Sequence, residues 1–264
     1  MAAWRGVSRP WSNRPVREMA VRTLKLLSRA IFGPFVWLML AAAVIPTLVL
    51  LLFTPTLGGR RRVAHFGARA FLLLIGSTPR VEGIRNLPDE PCVVVANHAS
   101  YLDGIILKAA LPPNFTFLIK AEMTSVPLAG FLLRRIGSAF VYREDDSHRL
   151  RTGRRLLKAA MRGESLAFFP EGTFDGKPGL KPFLPGAFAA AWRAKLPVVP
   201  VVISGSRRML PAEVWLCAPG KLFITICAPV DSAAQESASE LAAATRRSML
   251  ERLGEPDLEK AESR

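Results

Sequence analysis

Cysteine and histidine are scarce in this chain, three of each among 264 residues, and the scarcity removes whole classes of chemistry. Cys92, Cys217 and Cys227 are odd in number and stand at no metal-ligand spacing. With so few histidines as co-ligands, no metal centre is expected and no disulfide framework is implied. A reducing, cytosolic setting for the main domain is expected. Acidic residues are also few, 21 against 36 lysines and arginines, for a net charge of +15 and a pI near 10.8. That excess points to an anionic partner: nucleic acid, an acidic membrane surface or phosphorylated substrates. RNA-binding surfaces interleave aromatics with basic residues, but the basic clusters at 60–62, 134–135 and 151–155 have few aromatics beside them. No nucleic acid partner is therefore expected, although a basic membrane-surface or nucleic-acid-binding protein stays open as a reading of charge alone. Repeats and low-complexity tracts are absent.

Apolar residues, by contrast, make up half of the chain. Residues 30–53, AIFGPFVWLMLAAAVIPTLVLLLF, form an uncharged run long enough to cross a bilayer as a helix. Pro34 and Pro46 interrupt it, and an internal proline removes a hydrogen bond and kinks or breaks a helix. Arg14, Arg17, Arg22, Lys25 and Arg29 precede the run, and Arg60, Arg61 and Arg62 come after it. The positive-inside rule places both flanks on the cytoplasmic side, which suits a kinked hairpin or a segment dipping into one leaflet. A shorter apolar stretch, AFLLLIG, occupies 70–76. The basic lead is long and no small-residue cleavage site ends the run, which disfavours a signal peptide. The expected organisation is a basic segment (1–29), apolar membrane-attachment helices (30–76), a main domain (77–254) and a frayed tail (255–264). Association with the cytoplasmic face of the inner membrane, through anionic lipid, is expected.

The main domain alternates short β-rich runs with helical patterns, as a βα architecture does. Strands are predicted at 92–97, 115–120, 138–143, 165–170, 197–204 and 221–230. Helices are predicted at 100–111, 126–136, 147–163 and 235–253. On the 147–163 helix, Leu150, Leu157 and Met161 share a face. The last helix carries a capping pattern at Ser237 and Glu240, and Gly254 stops it. An α/β fold with a mixed, largely parallel sheet is expected.

ANHASYLDG at 96–104 holds the first chemical signal. Five residues turn a helix by about 140°, so His98 and Asp103 cannot meet from one helix. They meet only if His98 stands at a strand-to-helix junction and its ring folds back over the first turn. A carboxylate on the δ nitrogen fixes the tautomer and leaves the ε nitrogen to accept a substrate proton. Ser100 lacks the surroundings of a nucleophile elbow and is expected to cap the helix.

Asn97, His98, Ser100 and Asp103 spell N-H-x-S-x-x-D, and FVYR (140–143), FPEGT (169–173) and VPVVISG (199–205) come after it in that order. Over roughly 75–230 the chain resembles the glycerolipid acyltransferases, specifically the bacterial 1-acyl-glycerol-3-phosphate acyltransferases. The connecting segment, with Lys120, Pro127, Gly130 and Gly137, resembles theirs too. The resemblance implies direct attack by an acceptor hydroxyl on an acyl thioester, acyl-CoA or acyl carrier protein, with no resident cofactor. His98 and Asp103 would be the base pair and a lysophospholipid the acceptor. Arg143, whose guanidinium suits phosphate, would bind the acceptor together with Glu171, Gly172 and Thr173. Asn97, Ser100 and Lys120 would support the site, and Lys181 would add positive potential. Thr173 would also cap the next element of the chain, and the strand VPVVISG would add a wall for the acyl donor. The two extra prolines in KPGLKPFLPGAF (177–188) depart from the family pattern and leave the acceptor or donor preference open. Separately, another lyso-lipid such as lyso-ornithine lipid stays open as the acceptor.

Overall fold

The structure, a computed structural model, describes residues 14–141 and 146–259. Two long helices come first, α1 (Arg14–Phe53) and α2 (Leu57–Leu74), packed as a hairpin. Then come β1 (Arg80–Glu82), β2 (Val93–Ala96), α3 (Asp103–Ala110), β3 (Thr116–Lys120), α4 (Pro127–Arg135), β4 (Ala139–Val141) and α5 (Asp146–Met161). β5 (Leu166–Phe168), α6 (Gly186–Ala194), β6 (Val198–Ser204), α7 (Ser206–Met209), β7 (Phe223–Ile226) and α8 (Ala238–Leu253) follow among the described residues. The strands form a single seven-stranded sheet ordered β1-β7-β6-β2-β5-β3-β4, parallel throughout except where β7 runs against β6. The expected α/β class with a mixed, largely parallel sheet is the fold observed.

Side-chain alternation along the strands splits the core in two. Val94 and Ala96 of β2, with Val199, Val201 and Ile203 of β6, face a cluster that includes Phe71, Leu72, Ile106 and Leu107 from α2 and α3. Val93 and Val95, with Val198 and Val202, face Leu156, Phe188, Leu241 and Met249 from α5, α6 and α8. Helices thus cover both faces, which is why VVVA reads as an unbroken apolar run rather than an alternating one.

Some expectations require correction. Helix α1 runs through both prolines without breaking. At Pro46 the neighbouring Thr47 hydroxyl donates to the Ala43 carbonyl, and α2 packs so closely there that a Cβ on Gly67 would meet Thr47 Oγ1. Tertiary packing holds the helix where propensity alone would break it. The helix also takes in the basic residues from Arg14 onward. On α5, Leu157 packs against the core beside the buried Leu156, Ala159 and Ala160, whereas Met161 is 73% exposed and leaves the expected face; the Leu150 side chain lies outside the described ones. Residues 255–259 are not frayed. Leu180 and Asp257 form a β-bridge, Gly179 N–H donates to Glu255, and Arg246 of α8 is ion-paired to both Asp257 and Glu259. Residues 260–264 lie outside the described residues.

Candidate active site

Parallel strands put their carboxyl ends at one sheet edge, where open α/β folds build sites. Three of the four motif blocks leave adjacent strands there: NHASYLD comes after β2, FPEGT after β5 on one side, and VPVVISG ends β6 on the other. Asn97 joins two of them. Its amide donates to the Ile203 carbonyl and its own oxygen accepts the Ile203 N–H, locking the end of β2 to β6. Gly205, at φ 93°, leaves β6 where a Cβ would collide with the Lys221 carbonyl, so the turn there admits only glycine.

His98 stands at the junction between β2 and α3 with its side chain 19% exposed. Its Nδ1 lies 3.0 Å from Asp103 Oδ2. The same carboxylate oxygen accepts the backbone N–H groups of Ala99 (2.6 Å) and Ser100 (2.8 Å). Asp103 is wholly buried, and its Oδ1 has no hydrogen-bond partner, so its bonding runs through one oxygen into the 98–100 turn. Three donors on one oxygen set the carboxylate, and the carboxylate sets the ring. Ser100 Oγ accepts the Leu102 N–H and donates to the Leu210 carbonyl at 2.6 Å, which caps the turn and ties it to the segment after α7. Helix α3 begins at Asp103 rather than at residue 100, because residues 100–102 are spent on this turn.

The FPEGT block meets His98 directly. Phe169, Pro170, Glu171 and Gly172 form a tight turn closed by Gly172 N–H to the Phe169 carbonyl, with Gly172 at φ 72°. The turn aims the buried Glu171 inward. Its Oε1 accepts the His98 backbone N–H (2.6 Å) and its Oε2 the Lys181 N–H (2.8 Å). Burial pushes the Glu171 carboxyl up to about 7, although both N–H groups and the guanidiniums of Arg207 and Arg246 pull the other way. Phe169 stacks on the His98 ring at 4.2 Å and Phe174 tilts against it at 4.4 Å.

The other expected residues are more dispersed. Thr173 caps no helix, since α6 begins only at Gly186 after an extended loop. Lys120, at the end of β3, pairs with Glu122 at 2.7 Å. Lys181 pairs with Asp175 at 2.8 Å, so its charge has a local partner. Arg143 lies outside the described residues. Val141, two residues before it, ends β4 at the same sheet edge, three strand spacings from β2, or about 14 Å.

Several contacts have no signal in the motifs. Arg246, on α8, donates to the Leu180 and Lys181 carbonyls, and Arg207 donates to those of Asp175 and Lys177. Together with residues 255–258 they clasp the loop that carries Lys181 against Glu171. The proline-rich departure at 177–188 is therefore where the C-terminal segment docks. Phe174 is legible only as the residue next to FPEGT, and the arginines carry no local mark.

A buried carboxylate behind a partly exposed imidazole, at the edge of a parallel sheet, describes a site for proton transfer. Residues 78–204 match the acyltransferase family model. The particular relatives are enzymes of lipid acylation. A chloroplast 1-acyl-sn-glycerol-3-phosphate acyltransferase of Brassica napus is 33% identical over 58% of this chain and 45% of its own length. The corresponding protein of Saccharomyces cerevisiae is 29% identical over 76% and 69%. A lyso-ornithine lipid O-acyltransferase of Pseudomonas aeruginosa is 41% identical over 58% and 57%. The chain thus spans about half the length of the chloroplast relative. The crystal structure of a 1-acyl-sn-glycerophosphate acyltransferase from Thermotoga maritima superposes with a TM-score of 0.72 at 22% identity, covering 92% of this chain and 98% of that one, and shares the fold.

Proposed function

We propose that the protein is a membrane-bound acyltransferase that moves a fatty acyl group from an acyl thioester to the free hydroxyl of 1-acyl-glycerol-3-phosphate, giving phosphatidate. The observation that carries this reading is the His98–Asp103 pair, 3.0 Å apart, beside a carboxylate that fixes the backbone of His98 itself. With the Nδ1 proton donated to Asp103, Nε2 accepts the proton of the acceptor hydroxyl as its oxygen attacks the thioester carbonyl. The tetrahedral intermediate collapses, the carbon–sulfur bond breaks, and His98 returns the proton to the leaving thiolate. Asp103 holds the ring and stabilises the imidazolium between these steps. Glu171 keeps the backbone at His98 from shifting, a positioning task.

Arg143 is the residue assigned to the acceptor phosphate. The donor is a coenzyme A or acyl-carrier-protein thioester, whose phosphopantetheine arm adds to the case for a basic surface. Helix α1 carries 28 residues, Leu26–Phe53, long and apolar enough to cross a membrane. With basic residues on both sides of it, the module attaches from the cytoplasmic face. The 41% identity to a lyso-ornithine lipid acyltransferase favours a second reading, in which the chemistry stands and the acceptor is a lyso-aminolipid.

The test is acyl transfer by purified protein in detergent, with lysophosphatidate and lyso-ornithine lipid offered in parallel. Transfer to lysophosphatidate that falls about 10³-fold in His98→Ala upholds both acceptor and base. Transfer only to the aminolipid moves the acceptor and removes Arg143 from the phosphate. A His98→Ala enzyme as active as the wild type ends the mechanism.

A further inference from the structure

The mechanism leaves one aromatic feature unused. From His98 and Phe174 the rings continue outward to Tyr101, edge-on at 4.8 Å, and from Tyr101 to Trp215, nearly parallel at 6.3 Å. Tyr101 is 54% exposed and Trp215 71%. A ladder of rings that starts at the imidazole and ends on open tryptophan is a large apolar surface left wet, and it connects the site to the outside of the molecule.

Where that outer end lies is fixed by α1. Arg29, Gly33 and Trp37 recur at four-residue spacing and so share one stripe of the helix. Arg29 donates to the carbonyls of Arg208, Met209 and Leu216. Gly33 lies so close to Leu216 that a Cβ there would come within 2.7 Å of its side chain. The Trp37 indole donates to the Trp215 carbonyl at 3.0 Å. The loop bearing Trp215 therefore rides on the apolar run of α1, whose Ile31, Phe35 and Leu38 are also exposed. At its other end the loop is tied to the catalytic turn through Ser100 and Leu210. A bilayer is the partner that fits both surfaces, because it takes apolar helix faces and holds Trp and Tyr at its interface.

We propose that Trp215 and Tyr101, with Phe174 behind them, form a membrane-contacting portal along which the acyl chain of the lipid acceptor passes from the bilayer to His98. The proposal rests on the acyl-transfer reading and adds the route by which the lipid arrives. Ring faces make no hydrogen-bond demands on a hydrocarbon chain, so the ladder guides the chain without fixing its length.

Two measurements test it. Fluorescence of the full-length protein on phosphatidylethanolamine–phosphatidylglycerol vesicles doped with a dibrominated phosphatidylcholine is compared between wild type and Trp215→Phe. The variant is expected to lose a distinct share of the bromolipid quenching while floating with vesicles as before. Equal quenching in both places Trp215 in water and overturns the portal, whatever the activity. Acyl transfer is then measured for Trp215→Ala, with a long-chain lysophosphatidate in vesicles and with a water-soluble short-chain analogue. The expected result is a rise in KM of about tenfold for the long-chain acceptor with the soluble analogue unchanged. An equal loss on both acceptors means that the rings only support the site, and the portal falls. Quenching lost on Trp215→Phe, in a wild-type enzyme that acylates no lipid, upholds the bilayer contact and defeats the acyl-transfer reading alone.

Discussion

Helices α1 and α3 are both rich in apolar residues, yet they place them in opposite ways. In α3, Ile106 and Leu107 are wholly buried between the sheet and the hairpin. In α1 only one stripe, including Val36 and Ala43, packs inward, while Ile31, Leu38, Ile45, Leu50 and Leu52 face outward. Only 22% of an 18-residue apolar stretch within α1 is buried. A folded chain does not leave this much contiguous apolar area in water. The apolar side chains of α3 are covered inside the molecule, whereas most of those described on α1 are not, which is the physical basis for proposing α1 as a lipid-facing element.

The comparison can be broken at several strengths. The largest expected effect is on membrane binding. Ile31→Asp/Leu38→Asp puts two carboxylates on the outward face, and flotation with anionic vesicles should weaken by at least about 100-fold, since each lost Leu or Ile side chain removes about 1.5–3 kcal/mol of apolar transfer. Unchanged flotation would mean that α1 meets something other than lipid. Next comes Leu107→Ala in α3, expected to lower unfolding free energy by about 2–5 kcal/mol in detergent, read from a denaturant midpoint. Leu38→Ala in the same assay should cost under about 0.5 kcal/mol. If the two variants lose stability equally, the outward face of α1 is packed after all.

A further contrast sharpens the picture at the site, where two buried carboxylates sit either side of His98. Glu171 is raised to about 7 from an ordinary 4.5, mainly by burial. Between those values the folded protein binds more protons than the unfolded chain, so stability falls as pH rises through the window. The contribution is complete below about 4.5, is lost by about 7, and totals on the order of 3 kcal/mol. Glu171→Gln should flatten that slope in thermal melts taken across the window. It should also lower kcat, because an amide turns its NH2 group toward one of the two backbone N–H donors. A slope that survives the substitution would assign the titration elsewhere.

The legibility of each feature in the sequence depends on the kind of information it needs. The six strands of the main domain expected from apolar runs between turn residues are all present, as are the helices expected between them. β1 escapes such a reading because three residues, two of them charged, carry no strand signature. Helix α6 escapes it because its run, GAFAAAWRA, comes directly after prolines and mimics a loop. The Ser237 cap and the Gly254 stop are local chemistry, and both stand where their residue types place them. The order in residues 255–259 is invisible locally, because their carboxylates are held by Gly179, Arg207 and Arg246, which lie elsewhere in the chain.

The sequence by itself determined the strand-to-helix junction at His98, the reach of Asp103 back to it, the apolar run of α1 and the parallel βα order, because each depends on residues within one or two turns of chain. Only the tertiary structure decided that Glu171 holds the His98 backbone, that Arg246 clasps the loop behind Glu171, and that Trp37 carries Trp215 to the mouth of the site. Those contacts join residues 65 to 178 positions apart. Strand order and helix packing set such distances, and no local pattern encodes them.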